Sequence, residues 1–166
     1  MNDPQAFRAA LGRRLATFLD LRARVGPAAA MEAVLRDYTD RHRARMGPLI
    51  EGVPLVEGFA RARPRFAALG FEQEVADVST EGNDAVIEMN RECVCRVGAE
   101  ACGLREPIDV LCELELEATR RAFPEMRASA LHRQVHGASL CVFRYERPAR
   151  SGPMEENDRG DPDGGL

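Results

Sequence analysis

The hydrophobic pattern of this chain changes its period at Gly70. Before Gly70 the apolar residues recur every three or four positions, whereas several later stretches alternate between apolar and polar residues. The first period is typical of an amphipathic helix and the second of a half-buried strand. The sequence therefore predicts a single α+β domain over residues 1–147, with a helical part at 1–70 and a ββαββ part at 71–147 that forms an antiparallel sheet.

Three helices are predicted in the helical part. The first spans residues 4–25, because Asp3 can cap it and Pro4 suits a first helical position. Gly26 and the proline after it end this helix and start a second one, which continues to about Met46.

The second helix places His42 on its buried stripe, which leaves two interpretations open. His42 is either a hydrogen-bonded histidine at the edge of the core or a substrate-binding residue. Proline and glycine then predict a loop at residues 48–58. A third helix follows and ends at Gly70, which can adopt a positive φ.

The second half of the chain predicts two hairpins around one helix. Residues 72–79 and 85–91 are extended in character and enclose a turn. Pro107 opens a helix over residues 107–122. The last hairpin joins residues 131–135 to 139–145.

A tight turn at Gly137 in that last hairpin would place His136 on the same face as Cys141. Beyond this hairpin, the segment 148–166 is rich in Pro, Gly and acidic residues and lacks apolar periodicity. It is predicted to be a disordered tail.

Composition excludes several classes of protein. Acidic residues outnumber basic ones by 27 to 23, so no overall positive field is present to attract nucleic acid or anionic lipid. No apolar stretch approaches the length of a membrane span, and no secretory signal is recognisable at the N-terminus. We therefore expect a cytoplasmic protein with a small-molecule partner, with neither a nucleic-acid nor a membrane partner, in which the helical part could supply a homodimer face.

The predicted helix at 107–122 carries the clearest candidate chemistry. Cys112 and Glu115 are three residues apart and thus neighbours on its apolar face. Burial would make the carboxylate a candidate general base, and the adjacent thiol a candidate nucleophile. The alternative is a slightly rotated helix with Glu115 in water.

The last hairpin offers further candidates. A pair of Cys141 and His136 could also serve nucleophilic catalysis, with His136 as the catalytic histidine, although Cys141 fits a plain core position equally well. Arg133 and Arg144 could bind a substrate carboxylate, since a guanidinium matches its geometry. Alternatively, both arginines lie on a solvated face.

The chain contains five cysteines, an odd number that does not indicate a disulfide framework. Cys93 and Cys95 are separated by one residue, and Cys102 follows. This spacing differs from the paired CxxC of zinc knuckles. No metal or other cofactor is therefore expected, with zinc or an iron-sulfur cluster as the alternative.

Three features together carry a resemblance to a known family: Cys93, the Cys-x-x-Glu at Cys112 to Glu115, and the closing Gly-x-x-x-Cys-x-Phe-Arg-Tyr at 137–145. With these, the chain resembles the L-2-amino-thiazoline-4-carboxylate hydrolases over most of residues 10–147. It departs from that pattern at Glu115, where the family has aspartate. The closing strand is also similar to small-molecule-sensing domains related to 4-vinyl reductases.

Two functions follow from the residues and the resemblance. The first is a hydrolase that opens a C–N bond of an amino-acid-like heterocycle or amide. Cys112, Glu115 and His136 would be catalytic, with Cys93 and Cys141 in the pocket wall. The second is a ligand-sensing or metal-binding module of the same fold without turnover.

Overall fold

The computed structural model describes residues 3–149. The chain begins with α1 (Pro4–Val25), α2 (Pro27–Ile50) and α3 (Leu55–Ala68), continues with β1 (Gln73–Asp77) and β2 (Asn83–Asn90), then α4 (Val94–Ala101) and α5 (Val110–Ala122), and ends with β3 (Arg127–His132) and β4 (Cys141–Pro148). This order confirms the predicted α+β class.

One antiparallel sheet contains all four strands in the order β1-β2-β4-β3. Buried residues alternate along β4, where Cys141, Phe143 and Tyr145 face inward and Val142 and Arg144 are only half buried. The helices cover the inward face, since α3 packs on β1 and β2 while α5 packs on β3. The core lies between this face and the helical layer.

The start of α1 is confirmed in detail. The Asp3 side chain accepts a hydrogen bond from the Gln5 amide at 2.9 Å, and Pro4 occupies the first helical position. Gly26, at φ +84°, ends α1 and precedes Pro27 at the start of α2. The two long helices thus pack against each other across a sharp turn.

The predicted loop at 48–58 is largely wrong, because α2 continues through Pro48 to Ile50 and α3 already begins at Leu55. A proline in the last turn of a helix removes a single hydrogen bond, which the packing of Ile50 in the core offsets. Only residues 51–54 connect the two helices.

A buried arginine attaches this short connection to the sheet. The Arg147 guanidinium donates to the Asp84 carboxylate at 2.9 Å and to the carbonyl oxygens of Ile50 and Val53. Asp84 also accepts a hydrogen bond from the Leu55 amide at 2.9 Å. The connection between α2 and α3 is therefore fixed by charged groups of β2 and β4.

Helix α4 was not predicted from the sequence. Its eight residues are too few for a clear apolar period. Gly98 lets this helix approach its neighbours: a Cβ built there would lie 2.5 Å from Leu111 Cδ1 and 3.6 Å from the Leu11 carbonyl oxygen. Helix α4 is thus packed between α1 and α5.

The predicted last hairpin is wrong in its register and its loop. Strand β3 ends at His132, and a single 3-10 turn at Gln134–His136 follows it, closed by Gly137 at φ +93°. The amides of His136 and Ala138 both bond to the Arg133 carbonyl, so this segment satisfies its backbone locally instead of extending the strand.

The predicted disordered tail lies outside the described residues, except at Pro148 and Ala149, where β4 ends.

Candidate functional site

A cavity of about 130 Å³ lies between the helical layer and the inward face of the sheet. Its apolar wall includes six phenylalanines: Phe7, Phe59, Phe66, Phe71, Phe123 and Phe143. The polar part of the wall combines α1, α2, α5, an end of β1, and β2 with the residues that follow it. These polar residues are Arg14, Tyr38, His42, Arg45, Gln73, Glu88, Asn90, Glu92, Glu115 and Thr119.

Glu115 is the centre of a polar network between α5 and α2. Its Oε1 accepts a hydrogen bond from the Arg45 guanidinium at 2.7 Å, and its Oε2 accepts one from the Tyr38 hydroxyl. About a third of the Glu115 side chain, 34%, stays accessible, and the residue lines the cavity. The predicted orientation of this face of α5 toward the interior is therefore confirmed.

His42 completes this network. His42 Nδ1 lies 2.8 Å from the Arg45 guanidinium and 3.2 Å from Glu115 Oε1, and its Nε2 is hydrogen-bonded to the Thr119 hydroxyl at 3.0 Å. The Thr119 hydroxyl in turn donates to the Glu115 carbonyl oxygen at 2.9 Å. His42 is thus a buried connector between Arg45 and α5.

The network controls the protonation of its members. Burial alone would raise the pKa of Glu115, but the Arg45 guanidinium, the neighbouring His42 and the Tyr38 hydrogen bond outweigh it and hold that pKa well below its usual range. Burial and the Glu115 charge raise the pKa of Tyr38 to about 12. The cavity therefore contains an ionised carboxylate beside a neutral phenol at neutral pH.

A second carboxyl group, Glu88, lies on the sheet side of the cavity. Asn90 Nδ2 donates to its Oε1 at 2.6 Å, and Gln73 lines the same cavity. Within residues 3–149, Glu88 forms no ion pair. Burial consequently raises the pKa of Glu88, in contrast to that of Glu115.

An unpaired cation faces the same cavity from α1. The Arg14 guanidinium stacks on the Tyr38 ring, 4.1 Å from its centroid. Among the residues that the structure describes, it has no carboxylate partner. The cavity thus combines a half-buried carboxyl group and a guanidinium that lack partners of opposite charge among residues 3–149.

Three thiols meet at one end of the interior, and one of them, Cys112, lines the cavity together with Cys141. The Sγ atoms of Cys93, Cys95 and Cys112 all lie within 4.8 Å of one another. Cys112 and Cys95 are the closest pair, with 3.1 Å between sulfurs. Hydrogen bonds from the thiols of Cys112, Cys141 and Cys95 lower the pKa of Cys93.

The structure gathers five of the eight predicted site residues in or beside this cavity. They are His42, Cys93, Cys112, Glu115 and Cys141. Cys112 and Glu115 line the same cavity, yet the Glu115 oxygens engage Tyr38 and Arg45, while the Cys112 sulfur contacts other thiols.

The other three predicted residues lie elsewhere. Arg133 pairs with Asp109 at 3.0 Å and with Glu113, and His136 is exposed beside Asp109. Arg144 pairs with Glu146 at 2.9 Å on the outward side of β4. The expected shared face of His136 and Cys141 is wrong, because His136 belongs to the 3-10 turn and not to a strand.

Sequence reasoning missed Arg14, Arg45 and Glu88. A signal existed for two of them. Arg45 lies three residues after His42, which places it beside that histidine on one helix face. Glu88 lies two residues after the buried Val86 on β2, and strand alternation places both on the inward face. Arg14 gave no comparable signal.

No protein-family model matches this sequence, and no curated protein matches it.

Within residues 3–149, no helix combines the length and the apolar character that crossing a membrane requires.

Proposed function

We propose that this protein binds a small, amino-acid-like molecule in the cavity between its helices and its sheet. One observation carries the proposal. The cavity wall contains Glu88, a carboxyl group without a cationic partner among the described residues, and Arg14, a guanidinium without an anionic one. A ligand with one positive and one negative group would complement both.

The energetics of burial support a ligand at Glu88. A buried ionised carboxylate that lacks a counter-charge costs several kcal/mol, and such groups concentrate at functional sites. A ligand with an amine or amidine would supply the missing charge. Asn90 and Gln73, which flank Glu88, would help to orient it.

Arg14 suits the opposite end of such a ligand. A guanidinium presents parallel N–H donors to a carboxylate, and the Tyr38 ring holds this guanidinium in place by stacking.

The size of the cavity limits the ligand. An engineered apolar cavity of about 150 Å³ holds one benzene molecule, so about 130 Å³ suits a single ring or a short side chain. Phe59, Phe66 and Phe143 would contact its apolar atoms. These limits agree with the amino-acid-like heterocycle that the resemblance to thiazoline-carboxylate hydrolases implies.

Hydrolysis of the bound molecule is a second candidate function, favoured by the presence of Cys112 and Glu115 in one cavity wall. The Cys112 sulfur would attack the carbon of the C–N bond, and the nitrogen would leave with a proton. Water would then release the product and restore the thiol, so the net reaction consumes one water. Glu115 is ionised, as an acceptor of the thiol proton must be.

The binding proposal is tested by calorimetric titration of the full chain with L-2-amino-thiazoline-4-carboxylate and with a panel of small L-amino acids. At least one of these zwitterions is expected to bind. Glu88→Gln and Arg14→Gln should each weaken that binding by about tenfold or more, because each removes one charged partner.

Two neighbouring surface residues provide the matched controls. Arg13→Gln and Glu74→Gln alter exposed side chains of the same type and should leave the affinity unchanged. Equal binding by all four variants, or binding of none of the zwitterions, would contradict the proposal. For the second candidate, mass spectrometry of the titrated ligand should show the addition of one water, and this addition should stop in Cys112→Ala.

A further inference from the structure

Four cysteines from three parts of the chain converge at the end of the cavity. Cys93 and Cys95 come from the start of α4, Cys112 from the first turn of α5, and Cys141 from the start of β4. The sulfurs of Cys93, Cys95 and Cys112 lie within 4.8 Å of one another, and Cys141 lines the same cavity as Cys112. We propose that these four sulfurs bind one zinc ion.

The distances between the sulfurs suit one metal ion. Four thiolates at about 2.3 Å from zinc form a tetrahedron whose edges are about 3.8 Å. The sulfurs of Cys93, Cys95 and Cys112 lie within 4.8 Å of one another, and the closest pair is 3.1 Å apart. Shifts of less than about 1 Å therefore bring these three sulfurs to tetrahedral spacing, and Cys141 would supply the fourth ligand.

The same distances argue against two other uses of these thiols. A disulfide requires about 2.05 Å between sulfurs, which the 3.1 Å of Cys95 and Cys112 exceeds. A multi-iron cluster places its own iron and sulfide atoms between the cysteines and needs more space than sulfurs in mutual contact provide. A single thiophilic ion, as zinc is, fits without such rearrangement.

The backbone around the cluster already donates hydrogen bonds to two of the sulfurs. The Cys112 amide donates to Cys95 Sγ at 3.3 Å, and the Gln134 amide donates to Cys141 Sγ at 3.5 Å. Such donors orient thiolate ligands and spread their negative charge.

The four cysteines are buried, which favours a bound cation that would neutralise their thiolates. The exposed fractions of Cys93, Cys95, Cys112 and Cys141 are 3%, 0%, 1% and 1%. Thiolates in such surroundings need a counter-charge, which a divalent ion supplies. With four sulfurs the site would be closed and structural, and it would fix α4 and α5 to the sheet. Cys112 would then not be free to attack a substrate, so zinc at this site excludes the hydrolytic second candidate and leaves the binding proposal unaffected.

Cys102 provides an internal control for the assignment. It is partly exposed at the end of α4, and its thiol donates to the Ala99 carbonyl oxygen at 3.5 Å. It takes no part in the cluster of Cys93, Cys95 and Cys112. A Cys102→Ser variant therefore changes the number of thiols without changing the proposed site.

The test is elemental analysis and native mass spectrometry of the full chain, purified without chelator. One zinc per chain is expected, retained in Cys102→Ser and lost in Cys95→Ser and Cys112→Ser. Because the serine variants could fail to fold, the wild type is also stripped with a chelator and reloaded with Co²⁺. Intense thiolate-to-cobalt absorption with the visible bands of a tetrahedral site is then expected.

Three results would overturn the inference: a disulfide between Cys95 and Cys112, four free thiols without metal, or iron or copper in place of zinc. Metal content is measured without ligand, so its outcome is separate from that of the titrations that test ligand binding.

Discussion

Glu115 of α5 and Arg45 of α2 form an ion pair inside the protein, with 2.7 Å between Oε1 and the guanidinium nitrogen. Two other residues of α2 are hydrogen-bonded to this pair: Tyr38 to Glu115 and His42 to Arg45. This ion pair links the helical part of the chain to the helix that also carries Cys112. The polar wall of the cavity therefore depends on a contact between residues 70 positions apart.

Replacing Glu115 by glutamine should destabilise the fold at neutral pH. The change leaves Arg45 without its counter-charge in a mostly buried position, which should cost about 2 kcal/mol of unfolding free energy. Urea denaturation measures this difference. Glu117→Gln is the control on the same helix; it removes only surface ion pairs with Arg120 and Arg121 and should cost less than about 1 kcal/mol. Equal losses in both variants would contradict the role of the Glu115 pair.

Glu115 and Glu88 should affect stability with opposite dependence on pH. The lowered pKa of Glu115 means that its contribution is present above the unfolded pKa of about 4.5 and is lost as pH falls through the folded value. The raised pKa of Glu88 means that ionisation destabilises the folded state as pH rises above the same range.

The variants make this difference measurable. Glu88→Gln should be at least as stable as the wild type at pH 7, with the advantage shrinking toward pH 4, whereas the deficit of Glu115→Gln should be largest at pH 7. Melting temperatures between pH 4 and pH 8 supply the comparison. If the melting temperatures of both variants changed with pH in the same way relative to the wild type, the opposite pKa shifts of Glu88 and Glu115 would be contradicted.

Gly98→Ala should destabilise the packing of α4. A Cβ at this position lies 2.5 Å from Leu111 Cδ1, so the side chain of Leu111 or the whole helix must move. Overpacking of this kind costs about 1–3 kcal/mol. Thermal unfolding tests the expectation against Glu100→Ala on the exposed side of α4, which should change stability by less than about 0.5 kcal/mol. A stable Gly98→Ala variant would disprove the close approach of α4 to α5.

Arg147→Lys should loosen the connection between α2 and α3. A lysine cannot reproduce the simultaneous contacts of the guanidinium with Asp84, Ile50 and Val53. We expect a loss of about 2 kcal/mol and faster hydrogen exchange at residues 51–55. Arg144→Lys, on the outward side of the same strand, should change neither quantity. Unchanged exchange in Arg147→Lys would contradict the proposed anchoring.

The sequence predicted most of the fold because apolar periodicity reports which face of an element is buried. The starts of α1 and α2 were predictable from Asp3, Gly26 and the prolines beside them. Helix α4 was missed because two turns are too short to show a period, and its position depends on Gly98 fitting against other helices. The last hairpin was wrong because local hydrogen bonds to the Arg133 carbonyl replaced strand pairing.

The candidate site was only partly predictable, for a similar reason. The positions of Cys112 and Glu115 on an inward face follow from helical spacing, and the structure confirms that both line the cavity. The partners of Glu115 come from α2, and spacing along one helix carries no information about contacts between helices. The convergence of four cysteines likewise depends on how α4, α5 and β4 pack.

The most direct test of ligand binding in the cavity is a crystal structure of the full chain with the tightest-binding zwitterion from the titrations. Our account predicts the ligand inside the cavity, with its cationic nitrogen within hydrogen-bond distance of Glu88 and its carboxylate at Arg14. A ligand bound instead in the surface hollow beside His132 and His136, or an interior cavity closed to every ligand that binds, would contradict it.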